Sequence, residues 1–218
     1  MSLPKWNAPN KPTTMDSSPI FLSYINHKIK IILIPLLTAI LTQACNNHAI
    51  AKSFQEEGLE KAGAGDYQGA IEEFNEAIHL DGNFADAYFY RGYARSQVGD
   101  KQGALADYNE LIRLKPDKPL GYNNRCSIRI QLKDYQNAIA DCDRAINLAP
   151  NLALGYQTRG LLNYNLGDRE GAIADFQTGA ELWRQQGNMD NYRRMMEHIK
   201  RLEAGASPLP KAEDSNNP

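Results

Sequence analysis

The sequence lacks the residue patterns on which most enzymes and metalloproteins depend. It contains only three cysteines and four histidines among 218 residues, and no histidine lies at a metal-ligand spacing from a cysteine or carboxylate. Nucleophile elbows, zinc-protease motifs, paired-cysteine motifs and phosphate-binding glycine loops are also missing. We interpret the histidines as ordinary surface residues: His27, His48, His79 and His198. We therefore predict that the chain is not an enzyme and that it binds no cofactor or metal.

An excess of charge of either sign is missing too. The 24 lysines and arginines nearly balance the 26 aspartates and glutamates, which gives a net charge of −2 at pH 7. Nucleic-acid-binding proteins carry a basic face or stripe, whereas these charges are evenly mixed, as on a solvated helical surface. We therefore predict no nucleic-acid partner and, because no catalytic set is present, no small-molecule substrate.

The longest apolar run, IILIPLLTAILTQA at residues 31–44, is shorter than a membrane-spanning helix needs. Lys28 and Lys30 precede it, and the small residue Ala44 ends it. A secretory signal has three parts: a positively charged flanking segment, a short apolar core and a small residue before the cleavage site. Residues 1–44 are thus predicted to be a leader. Met15 offers an alternative start, which would make residues 1–14 an upstream extension.

The sequence LTQAC at residues 41–45 resembles the lipobox of bacterial lipoproteins. In that family the cysteine is lipidated and becomes the mature N-terminus, so the resemblance implies a lipid anchor on Cys45 and a short tether over residues 45–50. Because only about six residues separate Cys45 from the first predicted helix, the folded part would lie within roughly 20 Å of the lipid surface. Two alternatives remain open: an ordinary secretory signal cut near the same place, and an uncleaved anchor helix.

Two further cysteines, Cys126 and Cys142, fall on the packing faces of predicted helices. Free cysteines in such positions act as small buried hydrophobes. In an oxidising compartment the two could instead form a disulfide. The sequence does not supply the distance between their Cα atoms that decides the matter, so both interpretations stay open.

A 34-residue period runs through residues 51–184. Reading in steps of 34 gives four units, each of which splits into two amphipathic helices. The units are residues 51–84, 85–118, 119–152 and 153–186. The clearest recurring residues are Tyr88, Tyr122 and Tyr156, then Arg91, Arg125 and Arg159, then Ala70, Ala104, Ala138 and Ala172. Such a unit cannot bury its apolar face alone, so the units are expected to stack into a continuous core whose surface holds other chains.

Turn and packing residues follow the same period. An aspartate able to cap the second helix stands in every turn, after a glycine in three turns and after a lysine in one. These pairs are Gly65-Asp66, Gly99-Asp100, Lys133-Asp134 and Gly167-Asp168. Small residues that allow close helix approach are Gly58, Gly92, Cys126 and Gly160. The predicted buried stripe includes Ile71, Leu105, Ile139 and Ile173, and then Phe74, Tyr108, Cys142 and Phe176.

This order of tyrosine, glycine, alanine, aromatic residue and proline over 34 residues resembles the tetratricopeptide repeat family. The resemblance covers residues 51–184 and implies an all-α fold: a right-handed superhelical solenoid of four helix-turn-helix repeats. A further amphipathic helix with apolar residues at helical spacing is predicted within residues 187–204, as a cap with one apolar and one polar face. Its apolar residues are Tyr192, Met195, Met196, Ile199 and Leu202. Residues 205–218, rich in proline, serine and asparagine, are predicted to be a disordered tail.

Charged residues also recur across the units. Arg91, Arg125 and Arg159 each follow by 18 residues an acid in the preceding unit, namely Glu73, Asp107 and Asp141, and Asp175 continues the series to Arg193. The first unit has no predecessor and carries Glu57 where the others carry arginine. Pairing within a unit would place Glu57 against Glu73. We therefore predict ion pairs that join the second helix of one unit to the first helix of the next.

In the tetratricopeptide family the first helix of each unit lines a concave groove. Carried onto this sequence, the resemblance implies a partner-binding surface that is aromatic, aliphatic and amide-rich, with little charge. The predicted binding residues are Gln55, Leu59, Phe89, Tyr93, Asn123, Ser127, Ile130, Gln157, Leu161 and Tyr164, with Ala62 and Ser96 beside them. Some relatives grip a terminal carboxylate with lysine, asparagine and arginine at groove positions, but the corresponding positions here hold Gln55, Leu59, Asn123 and Ser127. An extended or helical peptide held by aromatic stacking fits this surface better. A simpler interpretation is that the aromatic side chains only close the inner face of the superhelix.

Two functional hypotheses follow. The first is a non-enzymatic scaffold, anchored as a lipoprotein on the extracytoplasmic face of a bacterial membrane, which holds a protein or peptide partner in its groove. The second is an integral assembly factor for a photosynthetic or respiratory complex, which keeps the N-terminal segment as an uncleaved helix. The state of the mature N-terminus discriminates between them.

Overall fold

The computed structural model describes the backbone of residues 19–207 and the side chains of residues 36–207. This part of the chain consists of nine helices joined by short turns. They are α1 (Pro19–Gly63), α2 (Tyr67–Leu80), α3 (Ala85–Gln97), α4 (Lys101–Leu114), α5 (Pro119–Gln131), α6 (Tyr135–Leu148), α7 (Ala153–Asn165), α8 (Arg169–Gln185) and α9 (Met189–Glu203). The predicted extension 1–14 and the tail beyond residue 207 lie outside the described residues.

The chain divides into two units, residues 1–46 and residues 47–218. In the first unit the side chains of Leu36, Leu37, Ile40 and Leu41 are exposed, as is Cys45, a free cysteine. Residues 45–50, predicted to be a tether before the first helix, are helical and belong to α1. They contain neither glycine nor proline, so nothing local ends the helix there. Within the described residues, no helix combines the length and apolar character needed to cross a bilayer.

The second unit contains the four predicted repeats in order. The end of α1 pairs with α2 through the contact of Gly58 with Phe74. The pairs α3–α4, α5–α6 and α7–α8 form the next three repeats, and each second helix also packs on the first helix of the following pair. The predicted all-α solenoid of helix-turn-helix repeats is confirmed. Helix α9 packs on α8, and its side chains Met195, Ile199 and Leu202 are buried.

Turn geometry follows the sequence closely. Gly65, Gly99 and Gly167 have φ between +83° and +84°, and Lys133, at the equivalent position of the third repeat, is a non-glycine residue with φ of +61°. Aspartates cap the second helices by accepting hydrogen bonds from backbone N–H groups in three repeats: Asp66 from Gly69, Asp100 from Gly103 and Asp168 from Gly171.

The third repeat lacks this cap. The Asp134 side chain makes no hydrogen bond to the helix backbone and instead accepts two from the Asn137 side chain. Asn137 stands where the other repeats have glycine, and a Cβ at Gly103 would lie 2.0 Å from the Asp100 carboxylate. A side chain at this position is therefore incompatible with the capping geometry, which explains the exception.

A glycine packed against an aromatic ring holds the two helices of a repeat together. A Cβ on Gly58 would lie 2.6 Å from the ring of Phe74, one on Gly92 would lie 3.0 Å from Tyr108, and one on Gly160 would lie 2.7 Å from Phe176. In the third repeat both members of this pair are cysteines, and they form a disulfide between α5 and α6. Both are fully buried, with Cα atoms 5.6 Å apart. The disulfide replaces the glycine–aromatic contact.

The predicted ion pairs between neighbouring repeats are wrong. Asp107, Asp141 and Asp175 are buried and accept hydrogen bonds from Arg91, Arg125 and Arg159 of their own repeats, at 2.6, 2.6 and 2.8 Å. The like-charge conflict that pairing within a repeat would create between Glu57 and Glu73 does not arise, because Lys61 lies within 4 Å of both carboxylates.

The arginines do contact the preceding repeat, but through other residues. The Nη1 atoms of Arg91, Arg125 and Arg159 donate hydrogen bonds to side-chain oxygens of the preceding repeat. The acceptors are Asn75, Asn109 and Asp143, respectively, at 2.8, 2.8 and 3.0 Å. At the cap, Arg193 pairs with Asp190 on its own helix and not with Asp175. Each arginine of the repeats therefore joins its own repeat through a buried carboxylate and the previous repeat through a more exposed oxygen.

Burial differs from the prediction at two positions of α9. His198, predicted to be a surface residue, is buried and stacks on Phe176 with ring centroids 4.9 Å apart. Burial, with smaller contributions from Arg194 and Arg201, lowers the pKa of His198 to about 4, so the stacked ring is neutral near pH 7. Met196, predicted on the packing face of α9, is exposed.

The positive φ of Lys133 gives a first test. Because a left-handed conformation strains any residue with a Cβ, Lys133→Gly is expected to raise the free energy of unfolding by about 0.5–1 kcal/mol. Urea denaturation of the two proteins measures the change. Gly99→Ala, at the equivalent turn of the second repeat, should lower it by a similar amount, and a Lys133→Gly variant no more stable than the wild type would contradict the strain argument.

The disulfide gives a second test. Closing a loop of this length stabilises a protein by about 3 kcal/mol, so a reductant should lower the free energy of unfolding of the wild type by about that amount. The double variant Cys126→Gly/Cys142→Phe restores the pair used by the fourth repeat and should be unaffected by the reductant. Under reducing conditions it should exceed the stability of Cys126→Ala/Cys142→Ala, which leaves the space unfilled. Equal stability of the two double variants would show that the disulfide does not occupy the place of a ring.

Candidate protein-binding groove

A pocket of about 390 Å³ lies between the first and second repeats. The predicted binding residues Leu59, Phe89 and Tyr93 line it together, along with Tyr67 and Tyr90. Leu59 and Tyr93 are 37% and 40% exposed, so both present apolar surface to solvent. None of the side chains described around this pocket is charged. We call this the aromatic pocket.

Ring contacts hold the walls of the aromatic pocket in place. Tyr67, the first residue of α2, meets Tyr93 edge-on with centroids 6.1 Å apart. Tyr90 stacks on the buried Phe74 at 6.0 Å and contacts Phe89 edge-on at 5.2 Å. Offset and edge-to-face aromatic pairs of this kind are favourable beyond their buried area. The pocket is therefore built from rings whose positions depend on the core of the first repeat.

Two of the predicted binding residues are buried. Asn123 is 2% exposed and Gln55 is 8% exposed, so neither offers its amide to a partner at the surface. The helical pattern identified the face on which they lie but not the depth to which neighbouring helices cover that face.

Other predicted residues pack within the C-terminal half of the solenoid. Ile130 packs partly against the cluster that contains the disulfide, and Leu161 and Tyr164 pack against the cluster formed by α8 and α9. The hydroxyl of Tyr164 hydrogen-bonds the hydroxyl of Ser207 at 2.9 Å. Ser127 and Gln157 are partly exposed. The structure thus brings Leu59, Phe89 and Tyr93 into one pocket and leaves the others outside it.

Tyr67 and Tyr90 are the pocket residues that the sequence analysis missed. Tyr67 lies on the second helix of its repeat, outside the set of first-helix positions that was considered. Tyr90 belongs to a run of aromatic residues at positions 88, 89, 90 and 93, which occurs in no other repeat. This local enrichment was the available signal for the pocket.

Metal-ligating and titratable side chains are the other groups of chemical interest among the described residues. In that part of the chain no group of three histidine, cysteine, aspartate or glutamate side chains is placed to hold a metal ion. Burial raises the pKa of Tyr108, whose hydroxyl accepts a hydrogen bond from Asn124. This tyrosine therefore remains protonated inside the second repeat and serves the core.

These features define a helical-hairpin repeat protein with a solvent-accessible aromatic pocket. Family comparison identifies the repeat. A TPR repeat model matches residues 58–99, and two tetratricopeptide repeat models match residues 96–153 and 126–197. Residues 58–197 are therefore tetratricopeptide repeats. A search of curated proteins found no match to the sequence.

Solved structures share the fold. The crystal structure of the MamA protein matches with a TM-score of 0.55 at 18% identity, covering 74% of this chain and 98% of MamA. A thermophilic TPR protein of Thermus thermophilus matches with a TM-score of 0.56 at 20% identity, covering 74% and 93% of the two chains. The first TPR of Spaghetti (RPAP3), bound to an HSP90 peptide, matches with a TM-score of 0.54 at 21% identity, covering 55% and 95%.

Proposed function

We propose that this protein is a non-enzymatic scaffold that binds a protein or peptide partner through the aromatic pocket. The observation that carries the proposal is the exposure of Leu59 and Tyr93 at the mouth of an uncharged cavity of about 390 Å³. Aromatic residues that are part of a rigid wall yet accessible are typical anchors of protein interfaces. If the rings only closed the inner face, these two side chains would be buried as Phe74 is.

The chemistry of the pocket indicates the kind of side chain it accepts. The lining is apolar apart from tyrosine hydroxyls. An aromatic, aliphatic or proline side chain could therefore be inserted without burying an unpaired charge. The first TPR of Spaghetti (RPAP3), which shares the fold, is bound to an HSP90 peptide. In this chain Gln55, Leu59, Asn123 and Ser127 stand at the groove positions where some family members hold lysine, asparagine and arginine. Recognition of a terminal carboxylate is therefore not part of the proposal.

The proposal places the scaffold on the extracytoplasmic face of a bacterial membrane, held by lipid on Cys45. The lipobox-like sequence at residues 41–45 supports this location, as does the exposure of the Cys45 side chain. The Cys126–Cys142 disulfide adds independent support, because disulfides persist in oxidising compartments outside the cytoplasm. Several acyl chains are needed for firm anchoring, since one chain binds a membrane only weakly.

The second candidate keeps residues 1–44 as an uncleaved N-terminal segment of a membrane-associated assembly factor. The exposed apolar side chains Leu36, Leu37, Ile40 and Leu41 favour it, because apolar residues exposed together on a helix need an apolar environment. Both candidates use the same aromatic pocket and differ in the mature N-terminus.

Selection of peptide ligands tests the pocket. Peptides displayed on phage are selected against the full-length protein, and their affinities are then measured for the wild type and for Leu59→Ala/Tyr93→Ala. Because truncating interface anchors typically costs about 2 kcal/mol or more, the double variant should weaken binding by at least about tenfold.

Met189→Ala is the matched control for that experiment. Met189 is an exposed apolar side chain at the start of α9 and does not line the aromatic pocket. Its truncation should leave the affinity unchanged. Selected peptides that bind the double variant as tightly as the wild type would show that the aromatic pocket is not the binding site.

The lipid anchor is tested by acyl labelling of the full-length protein in bacterial cells beside Cys45→Ser, with membrane fractionation and mass spectrometry of the N-terminus. We expect labelled wild-type protein that begins at Cys45 and an unlabelled variant. An unlabelled wild-type protein that retains its leader would instead favour the assembly factor. An unlabelled wild-type protein cut near Ala44 would indicate a secreted adaptor and contradict both forms of membrane attachment.

A further inference from the structure

The fourth repeat binds its buried carboxylate with one cation where the other arginine-containing repeats use two. In the second repeat Asp107 accepts hydrogen bonds from Arg91 and from Arg95, the latter at 2.8 Å. In the third repeat Arg125 and Arg129 bind Asp141 in the same way. In the fourth repeat Asp175 has Arg159 but no second arginine, because Asn163 stands at the position of Arg95 and Arg129.

The second arginine of each complete repeat makes a defined set of contacts. Arg95 Nη1 donates to the carbonyl oxygen of Gly103 at 3.4 Å, and its Nε lies 3.6 Å from the carboxylate of Asp100. Arg129 makes the equivalent contacts to Asn137 and Asp134 at 3.1 and 3.9 Å. A guanidinium group is thus held by a buried carboxylate, a carbonyl oxygen and the aspartate of the turn.

The acceptors of this set are all present in the fourth repeat. Asp175, Gly171 and Asp168 are the equivalents of Asp107, Gly103 and Asp100. Asn163 reaches Asp175 with its side-chain nitrogen at 2.9 Å, but its short neutral side chain does not fill the space of an arginine. A cavity of about 400 Å³ remains. Its apolar side is lined by Ile139, Leu162, Leu166 and Ala174, and its polar side by Asp143, Arg159, Asn163, Gly171 and Asp175. We call it the fourth-repeat cavity.

The exposure of an apolar residue beside the cavity differs from that of its equivalent in the first repeat. Ile71 and Ile139 occupy the same position in the first and third repeats, each beside the first helix of the next repeat. Ile71, where the next repeat has Arg95, is 8% exposed, whereas Ile139, where the next repeat has Asn163, is 41% exposed. The predicted burial of Ile139 is therefore wrong, and this side chain forms part of the cavity wall.

Charge is also unbalanced at this place. In the second repeat the two arginines offset Asp107 and Asp100, and in the third repeat they offset Asp141 and Asp134. In the fourth repeat Arg159 is shared between Asp175 and Asp143. Asp168, the aspartate of the turn, is not contacted by an arginine from α7, because residue 163 is asparagine. The two acids that line the cavity, Asp143 and Asp175, thus share one arginine, which leaves one net negative charge in its lining.

We propose that the fourth-repeat cavity binds the guanidinium group of an arginine side chain from a protein partner. The arginine stem would pack on Ile139 and Leu166, and its guanidinium would take the place that Arg95 and Arg129 occupy in their own repeats. The planar fork of donors suits this set of acceptors better than the compact ammonium of lysine. The site lies on α6, α7 and α8 and does not depend on the aromatic pocket, so either can fail without the other.

An NMR titration of the ¹⁵N-labelled full-length protein in detergent micelles tests the proposal, with N-acetyl-arginine amide as the probe. We expect saturable shifts of the Gly171 and Asn163 backbone amides with a dissociation constant in the millimolar range, because one side chain offers few contacts. The amides of Gly103 and Asn137 serve as internal controls, since their repeats already hold an arginine. N-acetyl-citrulline amide, a neutral compound of nearly the same shape, should bind at least about tenfold more weakly.

The decisive variant is Asn163→Arg, which supplies the missing side chain and keeps every native contact of Asp175 with Arg159. It should fold at least as stably as the wild type and lose the shifts at Gly171. Gln177→Arg adds the same charge at an exposed position of α8 outside the cavity and should bind the probe as the wild type does. Absent shifts at Gly171, equal shifts at Gly103, equal binding of citrulline, or unchanged binding by Asn163→Arg would each overturn the proposal.

Discussion

The close approach of the two helices within each repeat is the constraint on which the rest of the structure depends. Where Gly58, Gly92 and Gly160 face an aromatic ring, even a methyl group would contact that ring at 3.0 Å or less. At this separation the acid on the second helix is shielded from water, and side chains of the first helix supply its hydrogen bonds. Burial of Asp107, Asp141 and Asp175 beside arginines is therefore a consequence of the close helix approach.

A buried ion pair adds little net stability, because removing two charges from water offsets most of their attraction. Its larger effect here is on register. Each guanidinium is fixed on one side by the carboxylate of its own repeat and on the other by Asn75, Asn109 or Asp143 of the previous repeat. A shift of one repeat relative to the next would break the second contact and leave the first intact. Each arginine thus links the helix packing within its own repeat to the position of the preceding repeat.

The sequence was sufficient for the period, the turns and the identity of the packing faces, because these depend on residues close together in the chain. It was insufficient for the partner of Arg91, since Glu73 and Asp107 both lie on helices adjacent to it and the period alone ranks neither first. The sequence does contain a signal for the correct partner: Lys61 stands at the position equivalent to Arg95. Its positive charge offsets the repulsion between Glu57 and Glu73. The sequence was also insufficient for the depth at which a side chain is buried. Gln55 and Asn123 lie on the predicted face but beneath neighbouring side chains, which no linear pattern reports.

Departures from the repeat pattern are where a repeat protein can acquire function without loss of fold. A recurring residue has the same task in every repeat, so its role is structural. The run of aromatic residues around Tyr90 and the single Asn163 each occur once, and neither removes a glycine–aromatic contact or a buried carboxylate. The first adds surface that can accept an apolar side chain, and the second withdraws a side chain and leaves its acceptors in place. Two local changes of opposite kind on one scaffold thus produce two cavities with different chemistry, one apolar and one negatively charged. A partner that used both would need an apolar residue and an arginine presented together, a combination more selective than either contact alone.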